Sequence, residues 1–425
     1  MKLANFGAII IEDIILDDGV EKTHYYVIKG KSANRVFPAI EILAKNFPGL
    51  AWVSDFGADA IIEPTSQGKD RFRHATQVLS IGKTKMRQCF AHTGWRKING
   101  QWAYLHAGGA IGAESVEVRL SRELERYCLP EKPENEMEAI NASLSFLDMG
   151  KLEVTLPLFT AAYLVPLTTL LQPMPNFSFY LYGQTGTFKS TISLLQLAHF
   201  GNFPSIAGLN NFDDSANSIE KRGCVLKDTL LILDDYHPSH RRQDAQTKEH
   251  TAQRAIRSWA NRTARGRLNA DTSDKGRYEP RGMLQITGEE LTVGQSTLAR
   301  VSVIEIEPDD IDKEALTAIQ QKASLLPHAM CSYILWVRDH IDTIQKEFPM
   351  RFAELRTAAS KEGQHKKTPE QTAFMYYTLE LVTRWLRDKG IFSEDEAEAF
   401  LAESRDILIS LGEKQARRIE ADDPV

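Results

Sequence analysis

The run Phe179-Tyr180-Leu181-Tyr182-Gly183-Gln184-Thr185-Gly186-Thr187-Phe188-Lys189-Ser190-Thr191 has the residue types and spacing of a phosphate-binding loop. An apolar, aromatic strand enters a glycine-bearing turn, and Lys-Ser-Thr opens an apolar helix (Ile192, Leu194, Leu195, Leu197). In the pattern G-x-x-x-x-G-K-[ST], backbone N–H groups wrap a di- or triphosphate, lysine reaches the terminal phosphates and a hydroxyl holds Mg²⁺. The helix N-terminus adds the positive end of its dipole. Gly183, Gln184, Thr185, Gly186, Thr187, Phe188, Lys189, Ser190 and Thr191 are therefore the expected contacts to ATP. One position departs from the pattern: Phe188 stands where the last glycine belongs.

Further along, Leu230-Leu231-Ile232-Leu233-Asp234-Asp235 is an unbroken apolar run ended by two carboxylates, the pattern of a buried parallel strand. In P-loop ATPases such a strand lies beside the phosphate loop and its terminal acid organises Mg²⁺. Asp234 takes that role with Ser190, and Asp235, where glutamate is more usual, polarises the attacking water. Taken by itself, the run also fits an ordinary buried strand with a polar end. A third apolar run, Gly282 to Glu289, places Thr287 where ring ATPases of the AAA+ type carry a sensor of the γ-phosphate. Arg300 immediately precedes a fourth strand, Val301 to Ile306. There a guanidinium can act across a subunit boundary on a neighbour's ATP, or simply cap a strand at the surface.

Upstream, Phe90-Ala91-His92-Thr93-Gly94-Trp95-Arg96 and Asn99-Gly100-Gln101-Trp102-Ala103-Tyr104-Leu105-His106-Ala107-Gly108-Gly109-Ala110-Ile111-Gly112 complete a recognisable set. With the loop and acid strand, these strings resemble the domain-of-unknown-function 927 family, ATPases of bacteria, archaea, phages and integrated mobile elements. The resemblance runs from about residue 20 to about residue 310. Some relatives on mobile elements are similar to replicative helicases of the MCM type, which implies a DNA motor by analogy. The implied fold is α/β: a P-loop AAA+-type nucleotide domain with an N-terminal α+β module and a C-terminal all-α lid. The implied activity is ATP hydrolysis by a homo-oligomeric, hexameric ring, coupled to unwinding, translocation or remodelling of single-stranded DNA. The departures at Phe188 and Asp235 keep open an ATP-dependent switch or scaffold with weak hydrolysis.

Composition sets the bounds. A chain of 425 residues has room for two or three domains, and we expect them at residues 1–128 (α+β module), 129–149 (linker), 150–310 (ATPase core) and 311–425 (lid). The net charge of −6 means that any DNA contact rests on a local basic face. Four cysteines without C-x-x-C spacing suit a reducing cytoplasm, and no signal-peptide pattern opens the chain. The charge-free stretch from Thr155 to Phe188 is broken by prolines and reads as buried helix, turn and strand rather than a membrane span.

Strands are expected at Tyr25–Ile28, Leu50–Val53 and Trp102–Leu105, with a hairpin turn at Asn99-Gly100. Helices are expected at Phe37–Phe47, Lys69–Leu79 and Leu158–Leu171, the last bent or restarted at Pro166. Another covers Leu326–Ile344. Thr368-Pro369-Glu370-Gln371 and Ser393-Glu394-Asp395-Glu396 read as capping boxes, the second helix ending near Gly412. His92 and His106 flank the hairpin and read as structural histidines, with no third metal ligand at suitable spacing.

Between the acid strand and the Thr287 strand, Arg241, Arg242, Lys248, Arg254, Arg257, Arg262, Arg265 and Arg267 face only Asp244 and Glu249. A loop or hairpin follows to Arg277, with Lys275 and Arg277 as tip cations. Arg265, Arg267, Lys275 and Arg277 are the candidate phosphate contacts to DNA. A subunit interface and a plain solvated surface are the other readings of this stretch.

Overall fold

In a computed structural model, the described residues are 2–421 apart from 207–208, 213, 238–241, 265–266, 269–273, 276, 293 and 361–365. The chain divides into two compact units, Met1–Ala91 with Glu117–Arg119, and His92–Val116 with Leu120–Val425.

The smaller unit is built on β1 (Phe6–Asp17), β2 (Lys22–Ser32), β3 (Ile40–Leu43), α1 (Gly68–Ser80) and β4 (Lys85–Phe90), closed by the two-residue β8 (Glu117–Val118). Its sheet runs β3-β2-β1-β4-β8. Phe6, Phe37, Phe47, Trp52, Phe56 and Phe72 form its core. Two expected elements differ here. The predicted helix over Phe37–Phe47 is instead β3, pairing Ile40 with Ile28 and Leu43 with Tyr25, followed by a 3₁₀ turn. The predicted strand Leu50–Val53 is a left-handed Leu50 followed by a second 3₁₀ turn, Ala51–Phe56. Phe47, Trp52, Val53 and Phe56 are all buried along these turns. Their three- to five-residue spacing suits a tight helix and not the two-residue repeat of a strand.

The larger unit opens with a three-stranded meander, β5 (Gly94–Ile98), β6 (Gln101–His106) and β7 (Gly109–Ile111). Asn99 and Gly100 both take positive φ at its first turn, the geometry that makes Asn-Gly a hairpin signal. Helices α2 (Glu136–Leu144) and α3 (Leu152–Leu164) follow, then β9 (Ser178–Tyr182), α4 (Lys189–Ala198), the short β10 (Asn210–Asn211), α5 (Ala216–Val225), β11 (Leu230–Tyr236) and α6 (Arg242–Asn261). A small antiparallel pair, β12 (Arg267–Leu268) and β13 (Asp274–Lys275), precedes β14 (Met283–Gly288). Then come α7 (Gln295–Leu298), β15 (Val301–Glu305), α8 (Lys313–Gln321), α9 (Leu326–Ala359), α10 (Lys367–Asp388) and α11 (Glu394–Ala421).

The central sheet runs β10-β11-β14-β9-β15 with every neighbouring pair parallel. Its middle strands are buried along nearly their whole length, as apolar runs covered on both faces must be. Helix α3 is buried on every side from Val154 to Leu164 and packs on α4, α10 and α11. This accounts for the charge-free stretch, since a helix apolar all round belongs inside a core. The helix stops at Leu164 and the chain restarts at Pro166 only as a 3₁₀ turn, Val165–Leu167, instead of a helix reaching Leu171. No helix among the described residues is long and apolar enough to cross a membrane.

Two helix ends also depart from expectation. α10 begins at Lys367, ahead of the expected N-cap Thr368, which is buried. α11 runs on through Gly412, where an added Cβ would stand 3.1 Å from Thr372 Oγ1 of α10. That glycine sets a close helix–helix approach instead of a stop. Ser393 and Glu396 do form the reciprocal box, the Ser393 amide donating to Glu396 Oε2 at 2.8 Å and the Glu396 amide to Ser393 Oγ at 3.3 Å.

The T-G-W-R string is a clasp on the lower end of the sheet. Gly94 takes φ 85° where a Cβ would meet the Lys227 carbonyl at 2.4 Å. Trp95 donates its amide to Asp228 Oδ2 (3.0 Å) and its indole N–H to the Pro166 carbonyl (2.7 Å). Thr169 gives Asp228 two more bonds, and Lys227 Nζ a fourth at 2.7 Å. Asp228 is fully buried two residues before β11 begins. His106 accepts the Gly108 and Leu129 amides on Nδ1, both at 3.2 Å. His92 Nδ1 bonds to the Thr93 carbonyl at 2.7 Å.

Candidate functional site

Strand β9 delivers the chain to the C-terminal edge of the sheet, and the loop from Gly183 to Phe188 carries it into α4. The Gly183 amide donates to the Gly288 carbonyl at the end of β14 (3.1 Å), tying the start of the loop to its neighbouring strand. A Cβ on Gly183 would lie 2.4 Å from the Ile306 carbonyl, so no side chain fits there. Gln184, Thr185 and Gly186 are exposed, while Thr187 is buried with its hydroxyl on the Gln184 carbonyl (2.8 Å).

Phe188 is the N-cap residue of α4 and holds φ 63°, ψ 16°, a left-handed conformation. That is the conformation for which glycine is the default. Phe188 takes that conformation although it is not glycine. The ring is partly buried against the core, with Lys313 Nζ 6.0 Å from its centroid.

Lys189 donates its ammonium to the Gly183 and Gln184 carbonyls at 2.7 and 2.8 Å, lying back along the loop that precedes it. Burial lowers its pKa, opposed by the charges of Glu289, Asp235 and Asp234. Ser190, one residue on, donates its hydroxyl to Asp234 Oδ1 at 2.9 Å. Thr287 donates to the same carboxylate oxygen at 2.5 Å and accepts the Asp235 amide at 2.9 Å. Lys189, Ser190, Asp234 and Thr287 are thus brought into one site from three neighbouring elements. Thr191 is partly buried on the first turn of α4.

The sheet arranges these parts differently from the sequence expectation in one respect. The acid strand β11 is not next to the loop strand β9; β14, carrying Thr287, lies between them. Asp234 still meets Ser190 because α4 leans back over the intervening strand, where Gln285 of β14 bonds Ser193 and Gln196 of α4. Asp235 has φ 63° and a 62 % exposed side chain, with Oδ2 3.5 Å from His237 Nε2. It is the one acid of the pair that faces outward.

A second carboxylate, absent from the sequence expectation, joins the site. Glu289 follows the last residue of β14, donates its amide to the Tyr236 carbonyl at 3.1 Å and accepts the Thr185 hydroxyl of the Gly183–Phe188 loop. Only its place one residue past a Thr-Gly strand end could have signalled it. Asn211 of β10 pairs in register with Asp234 and adds a polar residue at the same edge.

Ser190 and Asp234 together offer hydroxyl and carboxylate oxygens 2.9 Å apart, the hard oxygen donors that Mg²⁺ favours. The residues present therefore fit a Mg²⁺-nucleotide. Held there, the ion would supply positive charge to offset the charge that develops on a transferring phosphoryl group.

Arg300 lies at the other end of the sheet. Its carbonyl accepts the Ser178 amide at the start of β9 (2.9 Å), and its guanidinium turns back onto Ser296. From there to the loop is the whole length of β9, about 13 Å at ~3.3 Å per residue.

The basic stretch separates into distinct roles. Arg254 pairs with buried Glu220 at 2.6 Å. Arg262 is a partly buried strut, donating to the carbonyls of Pro175 (2.6 Å) and Gly282 (2.5 Å), and desolvation pushes its pKa down to about 10. Both side chains are thus engaged within the larger unit. Arg257 and Arg277 are exposed. Arg267 and Lys275 occupy paired positions of the β12–β13 hairpin, so the expected hairpin before Gly282 is present. Arg265 lies outside the described residues.

No family model and no curated protein sequence matches the chain. Among solved structures, that of the active helicase Cch of SCCmec type IV is similar over 97 % of this chain and 75 % of that one, with a TM-score of 0.60 and 12 % identity. The apo C-terminal region of NrS-1 matches with a TM-score of 0.35 and 11 % identity, covering 95 % of this chain and 87 % of that one. The first likeness shows a shared fold: mixed α/β with a parallel sheet and many helices.

Proposed function

We propose that the larger unit binds and hydrolyses ATP, and that this turnover drives the movement, unwinding or remodelling of DNA by a ring of identical subunits. One observation carries the reading: the Asp234 carboxylate is held by Ser190 of the lysine-bearing loop and by Thr287 of the strand between them. A strand order with the Thr287 strand between the acid strand and the loop strand supports a P-loop core of the AAA+ type, with the C-terminal helices as its lid. Lys189 binds the β- and γ-phosphates, Ser190 and Asp234 hold Mg²⁺, and Thr287 fixes the carboxylate and senses the γ-phosphate. The loop backbone from Gly183 to Phe188 wraps the phosphates.

Arg300 stands too far from its own loop to serve it, which supports action on a neighbour's nucleotide and hence an oligomer. The β12–β13 hairpin, with Arg267 and Lys275 at paired positions and Arg277 shortly after it, supports a sequence-independent contact with phosphates of single-stranded DNA, to which we also assign Arg265 from the sequence. The fold shared with the helicase Cch supports the same direction by analogy alone. The outward carboxylate of Asp235 favours a second reading, an ATP-dependent switch or scaffold with weak hydrolysis.

Steady-state ATP turnover, with and without single-stranded DNA, tests both. Lys189→Ala should lower turnover at least ~100-fold, and Arg300→Ala should lower it ~10³-fold or more while sparing nucleotide binding. Mixing the two inactive variants should restore activity. Unchanged turnover in Lys189→Ala would sink the site assignment, and mixtures that stay inactive would remove the trans role of Arg300. Tight ATP binding by the unmodified chain with no turnover selects the switch.

A further inference from the structure

We infer that Glu289, carried on the end of β14, is the carboxylate that activates the attacking water, in place of Asp235. The inference rests on the ATP-site reading and deepens it. Strand β14 lies between the loop strand and the acid strand, so its C-terminal end stands between the phosphate loop and the Mg²⁺-holding acid. Glu289 sits at that end with its position fixed on both sides. The Gly288 carbonyl before it accepts the Gly183 amide of the loop (3.1 Å), and its own amide bonds to the Tyr236 carbonyl of the acid strand (3.1 Å). Its carboxylate accepts a hydrogen bond from Thr185 inside the loop, so it already reaches the ground that a triphosphate covers.

Asp235 is placed otherwise. Its backbone is left-handed, its side chain is mostly exposed, and its carboxylate pairs with His237. It is also one methylene shorter than the glutamate usual at that position. A general base has to stand within hydrogen-bond reach of the proton it removes, and of the two acids Glu289 is the one bonded to the loop.

In the proposed step, a water oxygen forms a bond to the γ-phosphorus as the bond from that phosphorus to the bridging oxygen breaks. One water proton passes to the Glu289 carboxylate and then to solvent, the other stays on the inorganic phosphate, and ADP leaves with the bridging oxygen. When the triphosphate enters, the Thr185–Glu289 bond gives way and frees the carboxylate for the water.

Glu289→Gln keeps the shape and the capacity to accept from Thr185 while removing the base. In the full chain with single-stranded DNA, it should lower ATP turnover by ~10²–10⁴-fold. Affinity for a fluorescent ATP analogue should stay within ~3-fold, so that unhydrolysed ATP accumulates on the protein in a filter-binding assay. Asp235→Asn should lower turnover by less than ~10-fold. Turnover in Glu289→Gln within ~3-fold of the unmodified chain overturns the inference, as does a larger loss in Asp235→Asn. Loss of analogue binding in Glu289→Gln also overturns it, because Glu289 would then only shape the loop. The ATP-site reading fails separately, and the inference with it, if the unmodified chain neither binds nor hydrolyses ATP.

Discussion

Replacing Asp228 by asparagine tests whether the T-G-W-R string serves architecture or chemistry. Asp228 is completely buried and accepts four hydrogen bonds, from Trp95, from Thr169 twice and from the Lys227 ammonium at 2.7 Å. Lys227 is itself largely buried, with a side chain 15 % exposed. Asparagine preserves size and tolerates the φ of 52° at this position. It removes the counter-charge and turns an NH₂ toward groups that themselves donate. Breaking a buried ion pair from one side costs about 3–5 kcal/mol, because the remaining charge is left uncompensated. In a cooperative unit of about 330 residues, with an unfolding entropy of about 2.1 cal/mol/K per residue, 4 kcal/mol lowers Tm by about 6 °C. Urea unfolding followed by tryptophan fluorescence measures the loss. The double variant Lys227→Met/Asp228→Asn should recover part of it by removing the stranded ammonium. Because Asp228 lies at the opposite end of β11 from Asp234, ATP affinity well below Tm should stay within ~3-fold. A stability loss under 1 kcal/mol would refute the clasp, and so would lost ATP binding at undiminished stability.

Two further outcomes follow from burial. His92, His106 and His199 are buried, and desolvation lowers their pKa values to about 3, 4 and 4. The unfolded chain, with histidines near 6.5, binds more protons, so stability is intact above that pH and falls between pH 6.5 and about 4. The loss is about 2 kcal/mol per histidine at pH 5, and a Tm that stays level from pH 7 to 4.5 would contradict it. In the basic stretch, Arg262→Met should cost about 2–4 kcal/mol by stranding the Pro175 and Gly282 carbonyls. Arg257→Ala, at an exposed position of the same stretch, should change stability by under ~0.5 kcal/mol; equal effects in urea unfolding would undo that division.

What the sequence made legible was whatever depends on a short run of residues. The strand–loop–helix at Gly183–Lys189 and the strands carrying Asp234 and Thr287 stand where their apolar runs placed them. So does the Asn99-Gly100 hairpin, because a two-residue turn fixes its own register. Features that depend on distant partners were hidden. Leu50–Val53 looks like a strand until Phe47 and Phe56 are seen packing with Trp52 in one aromatic cluster. Gly412 reads as a helix stop until Thr372 of the facing helix explains its missing side chain. Arg262 counts as one more surface cation in a string of arginines, and only the fold turns it inward. Glu289 belongs to no motif, and its relation to Thr185 spans 104 positions of sequence.

The same distinction decides which of the two sequence departures matters chemically. A phosphate loop uses its backbone N–H groups, and glycine is favoured before the lysine because the backbone there turns left-handed. Phe188 adopts that turn, at φ 63°, for a cost of roughly 1–2 kcal/mol. Burial of an aromatic side chain is worth up to about 3 kcal/mol, so partial burial of this ring can offset much of that strain. The departure at Phe188 therefore changes the residue while the backbone keeps the left-handed turn, so the proposed contact of the loop amides with phosphate does not depend on a glycine there. At Asp235 the left-handed backbone has the reverse effect. Its amide stays in the site on Thr287, while its carboxylate is carried out toward His237. An unusual residue costs little where the chemistry belongs to the backbone. Where it belongs to the side chain, another residue has to supply the group, and on the inference drawn above that residue is Glu289 at the end of β14.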